Sequence, residues 1–150
     1  MLKQVAELRA KGDLAAINAL VPYAATVGLE LLRDEGGLLT VLRFREHNIG
    51  NFVVRAIHGG VVGGLLEHAA MMHLLVETDV QNAPRIVNVS IDYLRPCRAE
   101  DTFARGSIIR QGRTVANVRV TAWQSNPTRL VAAADAHFLL TWSGKAGRGY

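Results

Sequence analysis

The stretch from His58 to Val76 constrains this chain more than any other: His58-Gly59-Gly60, then roughly sixteen residues of helical composition from Val61 to Val76. Leu65, Leu66, Ala69, Ala70, Met71, Met72, Leu74 and Leu75 fall on nearly every side of a 3.6-residue spiral. A helix that is apolar all round is expected to be buried on all sides. Gly63 and Gly64 near its start each cost about 1 kcal/mol relative to alanine. Close packing against another backbone would offset that cost; otherwise they only loosen the first turn.

The flanking sequence supplies what could wrap such a helix. Residues 2–10 read as a short amphipathic helix that stops at Gly12, Asp13 as the N-cap of a second helix through Leu20, and Pro22 as its end. Val27 to Arg33 and Leu38 to Phe44 flank Asp34-Glu35-Gly36-Gly37, a hairpin signal. Residues 45–57 read as a mixed loop. Beyond Pro84, Ile86 to Leu94 alternates with period two, Val89, Ile91 and Tyr93 against Ser90 and Asp92. Phe103 to Arg110 and Val115 to Gln124 flank a second turn, and Leu130 to Trp142 is the last strand. The tail 143–150 is Gly-rich and basic and is expected to fray.

The expectation is one α+β domain over residues 1–150, with residues 1–21 as a helical extension. Hairpin, long helix and four-strand meander place a central helix inside a curved antiparallel sheet of about six strands. A single such sheet leaves edge strands and one free face, so a homo-oligomer is expected, a dimer or a dimer of dimers.

Composition narrows the function. The net charge is +4, with no block of Lys and Arg and no basic–aromatic interleaving, so no nucleic-acid partner is expected. One cysteine, Cys97, rules out an internal disulfide and a cysteine-based zinc site; no metal or other cofactor is expected. The N-terminus lacks the apolar core of a signal peptide, and no run of about 18 uninterrupted apolar residues suggests a membrane partner. A cytoplasmic location is the expectation.

Glu67 is the residue most in need of a reason. Burying an unpaired carboxylate costs several kcal/mol, so its pKa rises or it finds donors. A carboxylate kept there is a candidate base or nucleophile. The alternatives are an exposed helical turn, or a structural hydrogen bond to His68 or Thr78. Gly59 and Gly60 sit where a helix begins, with unpaired N–H groups and the positive dipole end. Glycines admit a ligand oxygen closely, which makes a ready oxyanion site. A His at this place, such as His58, is more often a structural residue that holds the loop than a catalyst.

His58-Gly59-Gly60, followed nine residues after the His by an acid, resembles the hotdog-fold acyl-CoA thioesterase superfamily, its PaaI-like branch. Tyr93-Leu94-Arg95-Pro96, Gln111-Gly112-Arg113 and Leu130 to Phe138 are similar to its later strands, and the resemblance runs from about Pro22 to Trp142. It implies hydrolysis of an acyl-CoA to free acid and CoA. Glu67 would act as nucleophile or base, and the Gly59 N–H would polarise the carbonyl. The family's usual Asn or Gln position, six before His58, holds Phe52; Asn51 stands one place off and is the candidate for the positioning role. Met71 occupies a position where some members carry Ser or Thr. Gly60, Phe52, Leu66 and Met71 would line the acyl site. Arg95, Arg98, Arg110 and Arg113 are candidates for the CoA phosphates.

Eight residues separate Gly59 from Glu67, roughly 12 Å along a helix. One carbonyl cannot touch both, so the two would come from different protomers with antiparallel helices across a two-fold axis. Two rivals share the fold: a hydratase or dehydratase pairing His58 with Glu67, and a non-catalytic acyl-CoA-binding module.

Overall fold

The computed structural model describes residues 2–140. Three short helices open the chain: α1 (Leu2–Ala10), α2 (Leu14–Ala19) and α3 (Pro22–Val27). Asp13 caps α2, its carboxylate accepting from the Ala16 N–H at 3.0 Å. Pro22, expected to end a helix, instead begins α3. At the first helical position its missing N–H costs nothing and its fixed φ already fits. Gly28 stops α3 in the left-handed region at φ 89°. The first strand therefore starts at Leu29 rather than Val27.

Strands β1 (Leu29–Asp34) and β2 (Gly37–Leu42) form the expected hairpin, closing at Asp34 opposite Gly37. Residues 45–57 are more ordered than a loop. They hold a 3₁₀ turn (Glu46–Asn48) and a small antiparallel pair, β3 (Ile49–Asn51) and β4 (Ala56–Ile57). The long helix α4 (Gly59–Glu77) follows, then β5 (Arg85–Tyr93), β6 (Thr102–Gln111), β7 (Val115–Trp123) and β8 (Leu130–Leu139). The end of the last strand at Trp142 and the tail 143–150 lie outside the described residues.

The main sheet is antiparallel and six-stranded, in the order β1-β2-β6-β7-β8-β5. The last four strands are not the simple meander expected. β5 pairs with β8 and forms an edge, so the chain crosses two strands before entering β6. Three strand spacings are about 14 Å, well within reach of the eight residues 94–101. The crossing is held by buried Gln124. Its Nε2 donates to the carbonyls of Arg98 and Glu100 and to Thr102 Oγ1, and its Oε1 accepts from the Arg98 N–H.

The sheet curls around α4. Val62, Leu65, Leu66, Ala69, Ala70 and Leu74 are buried against Ala104, Val118, Val120, Ala122, Ala134 and Phe138. The many alanines on the inner face let the helix lie close. By length and composition α4 would also suit a bilayer, with mean hydropathy 1.3, but most of that window is buried inside this sheet. α1 and α2 cover its C-terminal half through Val5, Ile17, Met72, Leu75 and Val76.

The helix is not buried all round, as its composition suggests. Gly60, Gly64, Glu67 and Met71, at successive four- and three-residue steps, form one stripe that the sheet leaves uncovered. Elsewhere the packing is tight. Leu65→Ala should therefore cost about 2–5 kcal/mol of unfolding free energy. Urea denaturation checks this, and a loss below about 1 kcal/mol would mean that α4 is not the centre of the core.

Candidate active site

His58 is the N-cap of α4. Its Nδ1 accepts from the Gly60 N–H at 2.9 Å, so one amide of the first turn is consumed by the cap. The Gly59 N–H has no acceptor among the described residues. On the other side of that residue, the Tyr93 hydroxyl donates to the Gly59 carbonyl at 2.8 Å. Tyr93 thereby ties the edge strand β5 to the start of α4. The His58 N–H donates to the Asn48 carbonyl at 2.8 Å, and Asn48 Nδ2 donates to the Val27 carbonyl, which fixes the loop leading into the helix.

Two depressions flank Tyr93. The larger, about 560 Å³, contains Gly60, Gly63, Gly64, Glu67 and Met71 from α4, together with Val21, Tyr23, His68, Ile91 and Tyr93. The smaller, about 320 Å³, contains Gly59, Val62, Arg95 and the strand-end residues around Pro96. Gly63 and Gly64 open the first of these. A Cβ on Gly63 would lie 3.2 Å from Ile91 Cδ1, and one on Gly64 would lie 3.1 Å from the Tyr23 ring. What they admit within this chain is side chains, rather than the second backbone the sequence suggests.

Glu67 is exposed in the single chain. Its expected burial on an all-apolar helix is thus not met within one protomer, because it stands on the uncovered stripe. Neither structural partner is taken either: His68 Nε2 faces Asn18 Oδ1 at 2.8 Å, and Thr78 Oγ1 donates to the Leu74 carbonyl. Leu66, expected against the acyl group, is fully buried in the core on the opposite side of the helix. Asn51 and Phe52 sit at the β3–β4 tip. Asn51 Oδ1 accepts from the N–H groups of Val53 and Val54, and Phe52 is 76% exposed.

The arginines separate. Arg95 and Arg98 lie near the Gly59 depression. Arg110 and Arg113 lie at the β6–β7 hairpin, where Arg110 borders a different hollow with Asn117 and His137. Tyr23 and Tyr93, which line the larger depression, are not among the residues that the sequence singles out for the site. The only hint was two glycine pairs four residues apart, which mark where bulky side chains come close.

An apolar helix wrapped by a six-stranded antiparallel sheet is the hotdog fold, and the family match makes the chain a thioester hydrolase. Residues 50–138 match the family model for the acyl-CoA thioesterase N-terminal domain, and the chain belongs to that family. It is similar to the medium/long-chain acyl-CoA thioesterase YigI of Escherichia coli K12, 29% identical over 135 residues, covering 80% of this chain and 86% of YigI. A crystal structure of a Chromobacterium violaceum protein is 41% identical, with TM-score 0.78 over 93% of this chain and 97% of that one. A Bacillus halodurans protein solved with CoA shares the fold, at 20% identity and TM-score 0.71 over 94% and 93% of the two chains.

Burial pushes the His68 imidazole from 6.5 down to about 4. The unfolded chain takes up this proton below about pH 6.5, while the folded chain excludes it until about pH 4. The stabilising contribution is complete above pH 6.5 and is lost as pH falls toward 4, by about 3 kcal/mol across the window. His68→Gln, which keeps a donor for Asn18, should flatten stability between those limits. Urea midpoints at pH 7 and pH 5 that shift equally in both proteins would contradict this.

Proposed function

We propose that two copies of the chain pair along β5 and hydrolyse a medium- or long-chain acyl-CoA, each site using Gly59 from one protomer and Glu67 from the other. The observation that carries the reading is the position of these two groups. Both lie on α4 in concave ground beside an open strand edge, yet eight residues of helix, roughly 12 Å, keep them apart within one chain.

Several features support pairing at this edge. β5 is nine residues long and bonded on one side only. An added strand would satisfy its free backbone groups. Ile91 and Tyr93 connect that edge to α4, and Val87, Tyr93 and Leu94 leave apolar surface exposed along it. The uncovered stripe of α4 would then meet its symmetry mate, with Gly60 permitting close approach and Glu67 facing the partner's helix start.

In this arrangement the thioester oxygen accepts from the Gly59 N–H, with the positive end of α4 behind it. Glu67 either takes a proton from water, which adds to the carbonyl carbon, or adds directly to give a mixed anhydride that water then opens. Both routes pass through an oxyanion at Gly59, and both expel the CoA thiolate, which is reprotonated. The acyl chain lies in the larger cleft against Val21, Met71, Ile91 and the rings of Tyr23 and Tyr93. That apolar lining and the similarity to YigI favour a longer chain over acetyl.

Glu67→Ala should leave a folded dimer and lower kcat/KM at least about 100-fold, read as thiol release from a long-chain acyl-CoA. Near-normal turnover would end the assignment. Gly59→Pro tests the amide alone. Pro suits the first helical turn, and His58, at φ −57° and ψ 131°, already has the extended backbone that Pro demands of its predecessor. We expect a fall in kcat of about 10²–10³ with α4 intact by circular dichroism. Unchanged kcat would place the oxyanion elsewhere.

A further inference from the structure

The polar side chains of the larger cleft are Glu67, His68, Tyr23 and Tyr93. Hydrolysis uses the first, and the Tyr93 hydroxyl is taken by the Gly59 carbonyl. His68 and Tyr23 are left without a role.

His68 is only 6% exposed, and its tautomer is fixed. Asn18 Nδ2 donates to the Leu29 carbonyl at 2.7 Å, so the atom that faces His68 Nε2 is Asn18 Oδ1, an acceptor. The imidazole proton is therefore on Nε2, and Nδ1 carries a lone pair. Burial keeps the ring neutral down to about pH 4. Among the described residues Nδ1 meets no hydrogen-bond partner, yet it is not one of the unpartnered atoms sealed from solvent, which are His73 Nδ1, Asn117 Oδ1 and His137 Nδ1. Its lone pair thus opens on the cleft that His68 lines. A helical side chain lies over the turn before its own Cα. For His68 that turn holds Gly64, four residues back, which has no side chain to cover the ring.

Tyr23 reaches the same turn from α3. A Cβ on Gly64 would lie 3.1 Å from the Tyr23 hydroxyl oxygen. No hydrogen bond joins that hydroxyl to His68 or to any other described residue, in contrast to Tyr93. A ring nitrogen that only accepts and a phenol that donates therefore border one turn of α4 without bonding each other. A plain alkyl chain laid over them would take both out of water unpaired, which costs free energy. A hydroxyl group, donor and acceptor at one oxygen, satisfies both.

We propose that the preferred substrate is a hydroxylated acyl-CoA whose hydroxyl donates to His68 Nδ1 and accepts from the Tyr23 hydroxyl; this rests on the hydrolase reading above. Gly64 lies three residues, about 4.5 Å of helix, from Glu67. The hydroxyl then belongs on the first few carbons beyond the thioester, which a 3-hydroxyacyl group provides.

The test compares thiol release from decanoyl-CoA and from each enantiomer of 3-hydroxydecanoyl-CoA. In wild type, kcat/KM for the better enantiomer should exceed that for decanoyl-CoA by about fivefold or more. Tyr23→Phe removes only an oxygen from a half-exposed ring, and His68→Met removes the acceptor at similar volume. Each should bring the ratio close to one, and the ratio cancels any general loss of folded protein or of rate. A wild-type ratio of one or below, or a ratio unchanged in either variant, overturns the proposal, since the pair then holds only water. If wild type cleaves none of these thioesters, the hydrolase reading fails first. Calorimetry with the same compounds then decides: tighter binding of a hydroxylated thioester, lost in Tyr23→Phe, sustains the proposal, and equal affinities overturn it.

Discussion

Everything here depends on how one apolar helix is enclosed. α4 has too little polar surface to face water, and the sheet closes around it on an inner face rich in alanine and valine. The enclosure leaves one line open beside the larger cleft, Gly60 to Met71. That line is where the carboxylate stands, and the helix start beside it is where the free amide stands. The same packing that secures the fold therefore selects the face available for chemistry. It also explains why Glu67 is tolerable in so apolar a helix: within one chain the carboxylate retains its hydration, and desolvation comes only when something covers the stripe.

Much of this was readable from residues whose spacing carries the information. The long helix, the first hairpin, and the strands around Gly112 follow from periodicity and turn residues, because those signals are local. The sequence also shows His58, Gly59 and Glu67 at fixed separation, since a helix converts residue number directly into distance. What it could not show is which elements become neighbours. β5 looks like the first strand of a meander, but the crossing at 94–101 sends it to the far edge, and the decisive partner, Gln124, is a single buried amide with no periodic signature. Leu66 and Met71 look alike in composition; only the direction in which the sheet wraps α4 sends one to the core and the other to the cleft. The arginines likewise separate according to which end of β6 they border.

The distribution of charge follows a similar logic. Six arginines are spent on ion pairs that link elements: Arg105 joins β6 to the β1–β2 turn through Asp34, and Arg43 joins β2 to the end of the crossing through Asp101. Asp34 and Asp101 are both held below the usual carboxylate range. For Asp34 the Arg105 hydrogen bond leads, and for Asp101 the Phe44 N–H leads. Such exposed or half-exposed pairs each add little stability. Their larger effect is to tie separate elements together while consuming the carboxylates.

Tyr93 links two scales of organisation. Its backbone belongs to the strand edge, and its hydroxyl holds the peptide that follows Gly59. Any adjustment of the edge is relayed through one rigid phenol to the Gly59–Gly60 peptide, the plane next to the one that carries the Gly59 N–H. The set of the helix's first turn and the alignment of the outermost strand are consequently one mechanical variable rather than two.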